Sequence, residues 1–172
     1  MIFETPRLIA RRFGPRDLGP FVAMRDDPEV ARYQSWERFT EDDGRRFIGE
    51  LAKTAPGDPG WYQIALEEKA SGLFVGDCGF FIDPADPRLA RVGYTIVRAF
   101  WRKGFATEAV AGLVEYAFGR FPLHRITASV DPRNIASCRV LEKAGFAKEA
   151  HFRQSEWFKG GWADDAIYAR LR

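Results

Sequence analysis

The residues best suited to chemistry in this chain lie between 93 and 109, Gly-Tyr-Thr-Ile-Val-Arg-Ala-Phe-Trp-Arg-Lys-Gly-Phe-Ala-Thr-Glu-Ala. The order reads as a strand that stops, a short basic loop, and a helix that begins. At such a junction the first helical N–H groups have no intrahelical acceptor, and the helix dipole turns its positive end to the same spot. That spot suits a phosphate. Arg102 and Lys103 add charge beside it, and the planar fork of an arginine grips a phosphate with two hydrogen bonds. Gly104 and Ala106 leave room for a diphosphate against the backbone. An ordinary strand-loop-helix turn with solvated basic residues carries the same local signature, so a second segment has to decide.

That segment spans 130–146, Val-Asp-Pro-Arg-Asn-Ile-Ala-Ser-Cys-Arg-Val-Leu-Glu-Lys-Ala-Gly-Phe. With the first it resembles the GNAT acetyltransferases, in particular the RimJ/RimL branch that acetylates ribosomal-protein N-termini. The resemblance extends to Thr5-Pro6-Arg7-Leu8 and to Gly161-Trp162-Ala163-Asp164 with Tyr168, and so covers nearly the whole chain. The two central motifs are specific in combination; the terminal ones support them. The resemblance implies an α/β (α+β) fold, with a mixed, mostly antiparallel central sheet flanked by helices. It also implies acetyl-CoA as co-substrate, no metal, and direct transfer to a primary amine in a ternary complex. The acceptor is either a protein N-terminus or a small amine. Backbone groups of Ile96, Val97 and Arg98 are expected on the pantetheine arm. Arg102, Lys103, Gly104, Phe105, Ala106 and Thr107 are expected on the pyrophosphate, and Asn134 and Ser137 beside the pantetheine. One departure stands out: Arg102 occupies a position where the family commonly has glycine, which makes the loop less permissive.

Acetyl transfer needs a held donor, a deprotonated amine, a stabilised oxyanion and a stabilised leaving thiolate. Ser137, in a first helical turn, is placed by the resemblance to donate to the thiolate; a serine bonded to backbone or water is the plainer account. Asn134 reads as a helix N-cap, a role its amide can combine with a ligand contact. Cys138 has no obvious histidine partner and reads as a buried, inert thiol. Glu108 reads as a structural carboxylate at a helix start. Many relatives carry a glutamate two residues before Gly93, where this chain has Arg91. The general base therefore stays unassigned, with Asp83, Asp86, Glu156 and His151 as candidates. His124 reads as structural. Trp36, Phe39, Trp61 and Tyr62 come from regions that shape the acceptor cleft in relatives, and equally suit a core. The missing glutamate also motivates a second account, a non-catalytic acyl-CoA-binding or sensing module.

These residues need elements to position them. A first strand is expected over 7–11, a helix starting between 17 and 20 and running to 26, and a short helical piece opened by Pro28. Thr40 reads as the N-cap of a helix with three acids in its first turn and Phe47, Ile48 and Leu51 on one face. A loop fills 54–60, and strands follow over 61–66, 73–82 and 91–97. Apolar residues at helical spacing carry a helix from Gly104 to near Gly119, followed by a strand over 125–130 and a helix over 134–144. Gly145 and Phe146 specify a Schellman end that folds Phe146 onto Leu141. Two last strands are expected over 152–158 and 165–170, joined by a Gly160-Gly161 turn.

At 172 residues, with 46% hydrophobic residues, the chain is expected to be one domain, 1–172, with a proper core. A net charge of +2 with interspersed signs argues against a nucleic-acid partner. Two cysteines 60 positions apart, without zinc spacing, argue against a disulfide scaffold or a structural zinc. The N-terminus does not read as a secretory signal and no stretch is long enough to span a membrane, so a cytoplasmic location is expected; the sequence leaves monomer and homodimer both open.

Overall fold

The computed structural model describes residues 1–58 and 60–172. The described residues form one eight-stranded sheet, in the order β1 (Phe3–Glu4), β2 (Leu8–Arg11), β3 (Gly60–Glu68), β4 (Phe74–Ile82), β5 (Leu89–Ile96), β6 (Arg125–Val130), β8 (Gly161–Leu171), β7 (Ala147–Phe158). Neighbours pair antiparallel except β5 and β6, which run parallel and stay paired only from Leu89–Arg125 to Arg91–Thr127. The expected mixed, mostly antiparallel sheet is what the chain builds. The loop expected over 54–60 contains Pro59, which lies outside the described residues.

Helices cover both faces. On one lies α4 (Phe105–Arg120), whose Ala109, Val110, Leu113, Val114 and Ala117 are buried at helical spacing against Ile64, Leu66, Phe80 and Ile126. Beside it runs α5 (Ile135–Lys143), whose end matches the expected Schellman geometry. Gly145 has φ 86°, its N–H bonds Glu142 O, and the Phe146 N–H bonds Leu141 O at 3.0 Å. Leu141 and Phe146 are both buried. On the other face, α1 (Leu18–Arg25), α2 (Pro28–Ala31) and α3 (Glu41–Leu51) enclose a smaller core of Phe21, Met24, Val30, Ala65 and Phe74. Thr40 caps α3 in a reciprocal box with Asp43.

Three differences from the sequence-based expectation have physical reasons. The two-residue β1 adds an edge through Phe3–Ala10 pairing, too short to leave a pattern. The last two strands begin earlier, at Ala147 and Gly161; β7 is an exposed edge strand and carries no alternation of buried and exposed residues to read. Cys138 is half-buried against the main core rather than buried, while Cys78 is fully buried with its thiol pushed up by burial.

Candidate active site

The site is built where β5 and β6 part. Val97 N–H bonds Val75 O at 2.8 Å. Because such bonds alternate along an antiparallel ladder, Gly93 and Thr95 spend their backbone groups on β4. The N–H and carbonyl groups of Tyr94 and Ile96 therefore face β6, which has already diverged. The Trp101 indole occupies one of these groups, donating to Ile96 O at 2.7 Å. The rest form an open strand edge inside the fold, at the C-terminal ends of two parallel strands, where open α/β sheets take ligands.

A groove of about 920 Å³ occupies the opening. One wall comes from α2 and the residues after it, the other from α5, with the start of α4 at its mouth. The loop entering α4 holds two left-handed residues, Arg102 (φ 61°) and Gly104 (φ 83°). The left-handed region costs a non-glycine residue about 1–2 kcal/mol. The less permissive loop expected from Arg102 is thus a strained residue, held because the segment on either side is fixed. What fixes it is the amino-terminal motif. Glu108, in the first turn of α4, accepts from Thr5 Oγ1 (2.6 Å), Arg7 N–H (2.8 Å) and Arg7 Nε (2.6 Å). Arg7 also donates to Lys103 O at 2.9 Å and lies 4.4 Å from the Phe105 ring centre. Burial opposes the charge on Glu108, but the Thr5 hydroxyl and the Arg7 donors outweigh it and hold its carboxyl below the ordinary value.

Of the residues expected on the donor, Ile96, Arg102, Gly104, Phe105, Ala106, Thr107, Asn134 and Ser137 line this groove. Val97, Arg98 and Lys103 do not. Val97 has its N–H on β4, the turn Arg98–Phe100 carries Arg98 toward Asp27 (4.0 Å), and Lys103 lies over the Phe100 ring at 5.2 Å. Asn134 caps α5, its Oδ1 accepting from Ser137 N–H at 3.2 Å.

Sequence reasoning missed Tyr94. Its hydroxyl lies 2.7 Å from Ser137 Oγ and 3.2 Å from Ser137 O, and burial pushes its pKa up to about 12 against the opposing Ser137 bond. It also missed a set of cations. Arg32, Arg133, Arg139 and Lys143 join Arg102 along the groove, and Glu29 is the one carboxylate among the described residues in its lining. Arg139 and Lys143 are four residues apart on α5, a same-face spacing legible in the sequence; Arg32 had no such signal.

The candidate bases are not brought to this groove. Asp86 is held at about 2 by Arg88 in the β4–β5 turn. Asp83 lines a separate small hollow with Arg91 and Arg125. His151 Nε2 lies 2.7 Å from Asp164, whose other oxygen accepts from the Gln154 N–H of irregular β7. Glu156 is exposed on the same strand. Among the aromatic residues, Tyr62 is core, Trp36 and Phe39 pack around Arg25, and Trp61 remains 48% exposed. Among the described residues no cluster of His, Cys, Asp and Glu could hold a metal, and no helix is long and apolar enough to cross a membrane.

This architecture has known counterparts. Residues 7–147 match the Acetyltransferase (GNAT) domain family. A probable N-acetyltransferase, YjcK of Bacillus subtilis, is 49% identical over 134 residues, covering 77% of this chain and 74% of that protein. The crystal structure of a GNAT-family acetyltransferase from Bacillus anthracis superposes with a TM-score of 0.88 at 27% identity, covering 98% of this chain and 97% of that one. A spermidine N-acetyltransferase from Vibrio cholerae, solved with CoA and spermine, shares the fold with a TM-score of 0.83 at 19% identity, covering 97% of this chain and 96% of that one. The divided sheet, the basic loop opening a helix and these likenesses together establish that the chain belongs to the GNAT acetyltransferases.

Proposed function

We propose that this enzyme transfers the acetyl group of acetyl-CoA directly to a primary amine, within one ternary complex formed on the groove between β5 and β6. The observation that carries the reading is convergence. Five cations, the N-terminus of α4 and an unpaired strand edge share one groove that ends at Ser137 and Tyr94. In this reading Arg102 and the N–H groups of residues 104–107 hold the pyrophosphate. Arg139 and Lys143 meet the remaining phosphate charge. The free backbone groups of Tyr94 and Ile96 pair with the pantetheine amides. Glu29 or a water takes the amine's proton as the new C–N bond forms. The C–S bond breaks as Ser137 donates a hydrogen bond to the departing sulfur. Residues 1–172 act as one domain in the cytoplasm, as a monomer or homodimer.

The amine itself is either a protein N-terminus or a small molecule. The Vibrio cholerae neighbour was solved with spermine, but at that identity it informs the fold alone. Titration calorimetry with acetyl-CoA tests the core of the reading, comparing wild type with the exposed double variant Arg139→Glu/Lys143→Glu. Saturable one-site binding by the wild type, weakened at least tenfold in the variant, is expected. An absence of wild-type binding up to ~1 mM, a standard free energy weaker than about −4 kcal/mol, would overturn it.

A further inference from the structure

The face of the sheet opposite α4 carries a second feature. Strand register places three rows across β3, β4 and β5 on that face: Ala65–Asp77–Thr95, Gln63–Gly79–Gly93 and Trp61–Phe81–Arg91. The first row is sealed under α1 and α3, since Ala65 and Asp77 are fully buried. Cover then runs out, and Trp61 and Arg91 at the far row are exposed. Between them the paired glycines leave room for two side chains of β3 to lie flat on the sheet. Trp61 lies beside this floor, its ring 3.7 Å from where a Gly93 Cβ would sit. Gln63 lies across Gly79, and its Oε1 is buried without a partner.

The inner end of the donor groove meets the near edge of this face at Thr95. It is lined by Tyr94 and by Thr95, successive strand residues that point to opposite sides of the sheet. In the proposed reaction, an amine reaching the inner end of the groove from this side would run along β5 beside the Trp61 ring, with its remote end at Arg91. That guanidinium stacks 4.4 Å from the Phe81 ring centre. It holds no carboxylate among the described residues, whereas its neighbours Arg88 and Arg125 are taken by Asp86 and Glu149. From Thr95 to Arg91 the strand spans about 13 Å at ~3.3 Å per residue.

We infer that Arg91 determines acceptor specificity: the amine substrate carries a carboxylate roughly a short peptide's length from its reacting nitrogen, and Arg91 binds that carboxylate. The inference rests on the acetyltransferase reading above and names the substrate class for the same site. A planar guanidinium steadied on an aromatic ring is preorganised for a carboxylate fork. Trp61 and Phe81, in the same row as Arg91, flank that end of the acceptor with apolar surface.

The test uses matched di- and tripeptides with free N-termini, each as the C-terminal acid and the C-terminal amide, with spermine as the cationic contrast. Thiol release is followed for wild type, Arg91→Ala and Arg91→Lys. The wild type is expected to favour the acid of each pair. Arg91→Ala is expected to lose about 10–100-fold in kcat/KM on acids, the worth of a charged hydrogen bond, and little on amides, while Arg91→Lys recovers part of the loss. Calorimetry with acetyl-CoA alone separates the two levels of argument, because Arg91 lies outside the donor groove and the variants should bind it as the wild type does. Donor binding and amine turnover without acid preference, preference for spermine, or an equal loss on acids and amides would each overturn the inference and leave the acetyltransferase reading intact. Failure of the wild type to bind acetyl-CoA would remove both.

Discussion

At the scale of single residues, the question is what Ser137 and Tyr94 can do for a leaving thiolate. A thiol titrates near 8.5, far below an alcohol, and burial pushes Tyr94 up to about 12. Neither hydroxyl would surrender its proton to so weak a base, so in the proposed mechanism Ser137 stabilises it by a hydrogen bond alone. With 2.7 Å between Tyr94 Oη and Ser137 Oγ, the proposed mechanism makes Tyr94 a positioning residue that steadies the serine for the sulfur. Ser137→Ala should therefore lower kcat about 10²-fold with little change in the KM for acetyl-CoA, the pattern of an interaction made in the transition state. Tyr94→Phe should cost about 2–10-fold, one neutral hydrogen bond, and nothing further in the Ser137→Ala background. Steady-state kinetics on the four proteins of that cycle decide it. Additive losses would mean that Tyr94 acts on the substrate independently. Ser137 was legible from Asn134-x-x-Ser137, because local spacing places it in the first turn of α5. Tyr94 was not, since its contact spans 43 residues of sequence and depends on how far β5 and β6 have separated.

At the scale of elements, the turn between β1 and β2 braces the loop that enters α4. Thr5 and Arg7 converge on Glu108 across 101 or more residues of sequence, and Arg7 holds the Lys103 carbonyl beside strained Arg102. Glu108→Gln should remove about 1–3 kcal/mol at neutral pH, the range for hydrogen bonds to a charged group, or roughly 3–10 °C of Tm in a domain of this size. The folded-state pKa of Glu108 is lowered, so its contribution is complete above the unfolded value of about 4.3. It disappears as pH falls through the folded value. The gap between the melting curves of the two proteins should therefore narrow as pH falls from 7 toward 3; a gap that stays constant would show that the carboxylate charge is not what matters. The helix start at Gly104, the cap at Thr40 and the end at Gly145 were all legible because each is a local backbone requirement. The extent of β7 was not, because an edge strand exposed on both faces leaves no period in its side chains. The partner of Glu108 was equally hidden, since the sequence shows the carboxylate but not the β1–β2 turn that reaches it.

At the scale of the whole molecule, the face opposite α4 is built around a charge inside the smaller core. Asp77 stands out in β4, otherwise an apolar and glycine run, and it is 0% exposed. Its Oδ2 lies 3.1 Å from Arg25 Nη2, but Asp77 Oδ1 and Arg25 Nε are buried without partners. The guanidinium sits among Trp36, Phe21, Phe47 and Phe39, at 4.0, 4.7, 5.1 and 5.4 Å from the ring centres. Trp36 donates to Arg25 O, and Lys159, at the tip of the β7–β8 hairpin, donates to Trp36 O and Ala31 O. One buried pair thus links α1, β4 and the segment after α2, and through that segment the far hairpin. Burial pushes Asp77 upward, opposed by Arg25 and by the Thr95 hydroxyl, so the pair is held by its surroundings at a desolvation cost. Removing one partner strands the other charge: Asp77→Ala should cost about 3–5 kcal/mol, a large share of a typical total of about 5–15 kcal/mol. Replacing both, as Arg25→Met/Asp77→Leu, should restore most of that loss, because an apolar pair of similar volume meets no desolvation penalty. The urea midpoint at unchanged m reports both effects. A single variant costing under 1 kcal/mol would show that water reaches the pair. A double variant as unstable as the single would show that the aromatic shell, rather than the charges, carries the stability of this face.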